Sequence, residues 1–433
     1  MSRDGLIAEF QGFVSPRERW RVGLEIERHL LRPDGTPVPY EGEFGVRWLI
    51  ERLAPNGWKP KYEGENMIAL FRADGASVTL EPGSQWEYSS APQADVRTLD
   101  AECRAFVRET DEGIGDAPIT PVALGYTPFA DVEKIPWVPK GRYVVMREHL
   151  GATGDLAHHM MKATCATQAS FDFSDEADCA RKVGVGMLTA PLTTAMFANS
   201  PVSQGKPNGW QSFRGHVWTR TDPLRAGFPD AARSFSFAKW VDYLLDVPMM
   251  FLYDDEHGWR PARGASFRRW MDEGIDGKYP DSADWELHLT SVFPEVRVKR
   301  FIEIRGADCV AHPLAIAFGA YFESILYDDR ARDAAFAIGE EFASHGTTAE
   351  RFDVACRSGL GGVVGGRSLA SWASALVDAA DQGLSRWRPN DRALMKPLVD
   401  QVASGESPAA EVLRSLARDP SPVAFAAAHR YSA

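Results

Sequence analysis

The run Val22–Leu31, V-G-L-E-I-E-R-H-L-L, alternates apolar and polar residues. That is the spacing of a β-strand, whose successive side chains leave on opposite faces. Val22, Leu24 and Ile26 point one way, and Glu25, Glu27 and His29 point the other. In R-F-I-E-I-R-G-A-D, Ile302 and Ile304 share one face while Glu303 and Arg305 share the opposite one. In T-C-A-T-Q-A-S-F-D-F, Thr164, Gln168, Ser170 and Asp172 take one face and Thr167, Phe171 and Phe173 the other. If T-L-E-P-G-S-Q-W-E-Y-S-S is extended, Glu81 and Glu87 fall on one side with Gln85 between them.

A single glutamate-bearing strand is explained by a wet outer face. Three separated segments with the same pattern call for more. If their polar faces converge, Glu25, Glu27, Glu81, Glu87 and Glu303 meet. Such a group repels itself and needs cations. Carboxylate oxygens helped by the Gln168 amide suit magnesium or manganese rather than zinc. Magnesium in such a site commonly accompanies nucleotide phosphates, which points to an ATP-dependent reaction.

Charge narrows the partners. The chain has 48 basic and 60 acidic residues and a net charge of −12, which argues against nucleic-acid binding through a broad basic surface. Five cysteines without a CxxC pair argue against a disulfide framework or a zinc site, and Cys165 reads as a core residue. No window reaches the roughly 18 apolar residues of a membrane span. The N-terminus M-S-R-D-G-L-I-A-E-F does not read as a signal peptide, so a cytoplasmic location is expected. Local arginines remain available for an anionic ligand. Arg142 lies in P-K-G-R-Y, read as a turn, and Arg214, Arg220 and Arg225 lie in F-R-G-H-V-W-T-R-T-D-P-L-R. Each also has a plain reading as a surface or ion-paired residue.

Residues 1–327 mix strand-like runs with loops, and 328–433 turn alanine-rich with helical spacing. With no internal repeat or linker, residues 1–433 read as a single catalytic domain: an α+β body and a helical C-terminal region packed on it. The G-G-V-V-G-G run at 361–366 lacks the lysine and hydroxyl of a phosphate loop and is expected to join two helices.

Several stretches, in this order, resemble glutamate–cysteine ligases (γ-glutamylcysteine synthetases) of the plant and proteobacterial type. They include V-G-L-E-I-E, T-L-E-P-G-S-Q-W-E-Y-S-S-A-P, P-K-G-R-Y, M-F-A-N-S-P-V-S-Q-G-K-P-N-G-W, F-R-G-H-V-W-T-R-T-D and F-P-E-V-R-V-K-R-F-I-E-I-R-G-A-D. The resemblance covers residues 20 to 330 and, more loosely, the tail. It implies a glutamine-synthetase-like fold: a curved antiparallel β-sheet forming a half-open barrel surrounded by helices. It also implies that ATP phosphorylates the γ-carboxylate of glutamate and that the amine of cysteine then attacks.

Carried over residue by residue, the resemblance makes Glu25, Glu27, Glu81, Glu87, Gln168 and Glu303 metal-binding. Arg142, Arg214, Thr164, Trp218 and Met250 become substrate-binding. Arg305 and Glu25 are assigned to ATP, and Arg305, Glu81 and Glu303 to catalysis. The partners implied are small molecules (glutamate, cysteine or another amine, and ATP), with the protein a monomer or homodimer. Three departures bear on the acceptor: Ala163 stands where the plant pattern has arginine, Met250 where it has tyrosine, and G-A-D-C-V-A-H-P-L replaces a segment with two arginines and a tryptophan. Lys162 is expected to point away from the face that Ala163 leaves short. A ligase of the same mechanism with another amine or acid is therefore a second reading, and a silent binding protein a third.

Overall fold

A computed structural model describes residues 1–433. Its centre is a nine-stranded sheet. The strands are β1 (Val22–Leu31), β2 (Lys59–Glu63), β3 (Asn66–Phe71), β4 (Ser77–Leu80), β5 (Trp86–Ser89), β6 (Thr120–Val122), β7 (Ala166–Phe171), β8 (Val296–Val298) and β9 (Ile302–Asp308). Their order is β8-β9-β7-β1-β5-β4-β3-β2, with β6 beside the far end of β1. Every pairing in it is antiparallel. The edges β8 and β2 do not pair, so the sheet is open, with helices packed on it, as the resemblance implies.

The alternation in the sequence becomes the two faces of this sheet. Val22, Leu24, Ile26, Ile302 and Ile304 are all buried. The helices Glu176–Phe197 and His312–Tyr327 cover this apolar face. Gly186 is the point of closest approach: a Cβ there would stand 2.7 Å from Val296 Cγ2 and 3.0 Å from Ile304 Cδ1. The opposite face carries the glutamates.

The helical C-terminal region begins at His312, before the expected boundary at 328. The helix His312–Tyr327 is almost wholly buried, so it lacks the polar stripe that marks a surface helix. Beyond it the chain is mainly helical. The G-G-V-V-G-G run joins the helices Thr348–Ser358 and Leu369–Trp387 through a short hairpin, Val363–Val364 with Arg367–Ser368. The chain end returns to the sheet, where the Tyr431 N–H donates to the Pro121 carbonyl at 2.8 Å. One buried apolar cluster extends from Leu6 to Tyr431, and Cys165 belongs to it. No helix is long and apolar enough to cross a membrane.

Candidate active site

The segment holding Glu81 and Glu87 is not one extended strand but a tight hairpin. β4 ends at Leu80 and β5 begins at Trp86. The Ser84 N–H donates to the Glu81 carbonyl at 2.9 Å, and the Glu81 N–H donates to the Gln85 carbonyl at 3.0 Å. Ser84 takes the left-handed conformation, φ 70°, that closes such a loop. Gly83 has no room for a side chain: a Cβ would lie 2.2 Å from the Lys162 carbonyl oxygen. Gln85 locks the turn in place. Its Oε1 accepts from the Gly83 N–H at 2.8 Å, and its Nε2 donates to the carbonyls of Met161 and Thr164. Glu81 and Glu87 still share a side, because antiparallel pairing places Thr79 opposite Glu87 and Glu81 beside Gln85.

Register then assembles the carboxylates. Glu27 lies opposite Glu87 across β1 and β5, and Glu25 opposite Gln168 across β1 and β7. Glu25, Glu27 and Glu87 each place a carboxylate oxygen within 4.8 Å of the others. The donors that reach them are neutral. Gln168 Nε2 donates to Glu25 and, at 3.1 Å, to Glu27. The Ala166 N–H donates to Glu27 at 2.7 Å, and the Thr79 hydroxyl to Glu87 at 2.6 Å.

Crowding shows in the proton affinities. Burial, then the Glu87 and Glu303 charges, push Glu25 up to about 8. Burial and then Glu81, Glu87 and Glu25 hold Glu27 well above the ordinary carboxyl value. Burial and then Glu81 push Glu87 up to about 7, against the Thr79 hydrogen bond. Three converging carboxylates without a bonded cation are an all-oxygen donor set that fits a hard divalent ion.

Cations form the rest of the wall. A cavity of about 270 Å³ is lined by Glu25, Glu27, Glu81 and Glu87 together with Lys140, Arg142, Arg214, Arg297 and Arg305. Thr164, Gln168 and Trp218 also border it. Arg305 Nη1 donates to Gln168 Oε1, so one glutamine links the carboxylate group to the arginine group. Burial and then Arg297 lower Arg305 to about 10. Burial lowers Lys140 to about 8, with Glu81 opposing it. Arg142 is the second residue of the helix Gly141–Thr153, not part of a turn. The buried Arg142 Nε, Arg214 Nε and Trp218 Nε1 have no hydrogen-bond partner within the protein. All three residues border the cavity, and donors there suit an anionic amino acid or a phosphate.

The model of glutamate-cysteine ligase family 2 matches residues 21–425. The chain belongs to this family. The chloroplastic glutamate–cysteine ligase of Nicotiana tabacum is 35% identical over 424 residues, covering 95% of this chain and 79% of its own length. The chloroplastic enzyme of Arabidopsis thaliana is 33% identical over 426 residues, with shares of 95% and 79%. Among solved structures, the glutamate–cysteine ligase of Francisella tularensis in complex with AMP superposes with a TM-score of 0.59 at 12% identity, covering 95% of this chain and 87% of that one. A bifunctional glutathione synthetase from Pasteurella multocida gives 0.54 at 12% identity, covering 99% and 53%. At that identity the two structures speak for the fold alone. The expected cytoplasmic location is overturned, since the curated relatives are named chloroplastic.

Within this ligase several expected site residues stand elsewhere. Glu303 does not line the cavity. It pairs with Arg297, with Lys299 at 2.7 Å and with Arg305 at 3.7 Å. Burial opposes its charge, yet Arg297 and then Lys299 and Arg305 outweigh it and hold the carboxyl far below the ordinary value. Its charge is thus balanced within the protein, and it anchors Arg297, Lys299 and Arg305 beside the cavity. Met250 is 1% exposed, packs in the apolar core and does not border the cavity. Arg220 is an exposed partner of Asp155, and Arg225 is a buried partner of Asp222 at 2.6 Å. Lys162 lies on the helix Ala157–Ala163 rather than on a strand; its ammonium donates to the Ile135 carbonyl at 3.3 Å and it does not border the cavity.

Two charged residues of the cavity wall carried no assignment from the sequence. Lys140 directly precedes the helix of Arg142, and its ammonium donates to the Leu80 carbonyl at 2.6 Å. Arg297 lies opposite Glu303 across β8 and β9. The alternation of V-R-V was the signal for it.

Proposed function

We propose that this ligase joins the γ-carboxylate of glutamate to the amine of cysteine, using ATP and passing through γ-glutamyl phosphate. The observation that carries the reading is one cavity in which Glu25, Glu27 and Glu87 face a set of arginines. A carboxylate is a poor electrophile, and phosphorylation gives it a leaving group. A glutamate γ-oxygen attacks the terminal phosphorus and ADP leaves; the amine nitrogen then attacks the acyl carbon and phosphate leaves with the C–O bond electrons. The amine sheds a proton as the amide forms.

The residues divide this work. Arg142 and Arg214 clamp the amino-acid carboxylate, so that its far end is held against the phosphorus. Arg305 and Arg297 supply fixed positive charge to the transferring phosphoryl group. Glu25, Glu27 and Glu87, with Glu81 beside them, would hold magnesium or manganese, which when bound neutralises triphosphate charge. The apolar cluster shared by sheet and C-terminal helices supports treating the chain as one catalytic unit.

A screen of amine acceptors tests the proposal. Protein, ATP, magnesium and glutamate are incubated with each amino acid, and phosphate release and product mass are read. The expected result is γ-glutamylcysteine with one phosphate per product. A different amide, with cysteine inactive, would replace the acceptor assignment. Met250 gives little support to that second reading, because it lies outside the cavity.

A further inference from the structure

Arg214 reaches the cavity from the short helix Phe213–Trp218, which also carries Trp218. The helix is tied to β9 through one buried carboxylate. Asp308, 1% exposed, accepts hydrogen bonds from the Ser200 hydroxyl at 2.6 Å, the Ser212 hydroxyl at 2.8 Å and the Asn199 N–H at 2.7 Å. Each hydroxyl then accepts a backbone N–H from the first turn of the helix. Ser200 Oγ takes that of Arg214, and Ser212 Oγ that of Gly215, both at 3.0 Å. Asp308 fixes the direction of both relays, because a carboxylate only accepts.

The guanidinium is held from the same strand. Arg214 Nη2 donates to the Arg305 carbonyl at 2.9 Å, and Nη1 lies 4.0 Å from Asp308 Oδ1. A bulge between Ile304 and Ala307 makes this possible. Register runs Ile304–Ala169 and then Ala307–Thr167, so Arg305 and Gly306 together oppose Gln168. The extra residue returns Asp308 to the face of Arg305, where strict alternation would have sent it to the other side.

We infer that Asp308 is a positioning residue for the amino-acid substrate, setting Arg214 through the hydroxyls of Ser200 and Ser212. The inference rests on the reading that Arg214 clamps the substrate carboxylate. Asp308 does not border the cavity; it decides where the clamp stands and partly balances its charge.

Steady-state kinetics of D308N tests this, with glutamate and ATP varied separately and Tm recorded. The expected result is a KM for glutamate raised about tenfold or more, with KM for ATP and kcat changed far less. A merely structural role would lower Tm and the active fraction while leaving KM for glutamate in place, and that result overturns the inference. S212A removes one relay alone and serves if D308N fails to fold. Its effect on KM should be smaller, and D308N/S212A should show less than the product of the two; a fully multiplicative effect would also overturn it. R214A separates the underlying reading: an unchanged KM for glutamate removes Arg214 from the clamp, whereas a raised KM beside an unaffected D308N removes Asp308 only.

Discussion

Glu27 and Glu87 lie directly opposite each other on neighbouring antiparallel strands, with Glu25 within reach of both. Like charges in that relation destabilise a sheet. The fold tolerates them only with protons or a cation between them. Glu25 titrates near 8 and Glu87 near 7, both above the ordinary carboxyl value. In that interval the folded chain binds more protons than the unfolded chain, so this contribution to stability falls as pH rises. With divalent ions chelated, E87Q should raise stability at pH 8 by on the order of 1–3 kcal/mol and have little effect at pH 5. Denaturant unfolding at both pH values measures it. In the wild type, magnesium should raise Tm more at pH 8 than at pH 5, and E87Q should lose most of that gain.

Glu303 should behave in the opposite way. Its carboxylate compensates Arg297, Lys299 and Arg305, so neutralising it strands buried positive charge. E303Q is expected to cost about 3–5 kcal/mol of stability at neutral pH. Magnesium should still raise the Tm of this variant, which a metal-ligand role for Glu303 would forbid. The contrast in sign between E87Q and E303Q separates the two kinds of carboxylate on one sheet face.

Much of the site was legible in the sequence wherever a residue sat on a regular strand. Glu25, Glu27, Gln168 and Arg305 came from alternation alone, since a strand's period fixes the face of each side chain. Alternation says nothing about partners, so it could not show that Glu303 pairs with Arg297, Lys299 and Arg305. It fails across a bulge, where Asp308 changes face. It is silent at the start of a helix, where Lys140 and Arg142 enter the cavity. The start of the helical region was hidden for a related reason: a helix buried on all sides, as His312–Tyr327 is, shows no polar stripe.

Met250 is placed by packing rather than by the cavity wall. It lies just before the strand Phe251–Asp254, within the apolar cluster. M250A should therefore cost about 2–5 kcal/mol through the cavity it leaves. KM for the amine acceptor should stay close to the wild-type value in protein that remains folded. A large selective rise in that KM, at unchanged stability, would return Met250 to the acceptor pocket.

Gly83 tests whether the hairpin's placement, and not only its carboxylates, is needed. A side chain at this position meets the Lys162 carbonyl at 2.2 Å, and backbone cannot yield as a flexible side chain does. G83A should push the turn off the end of the helix Ala157–Ala163 and break the bonds from Gln85 to Met161 and Thr164. Glu81 and Glu87 would then shift together relative to Glu25 and Glu27. A displacement of that kind should lower kcat/KM on the order of 100-fold, although no ionisable group has been removed. Q85L removes the same amide bonds without the steric push, so it should show a smaller loss in the same direction. Wild-type kcat/KM in G83A would mean that the hairpin's contact with the helix end does not set the geometry of the carboxylates.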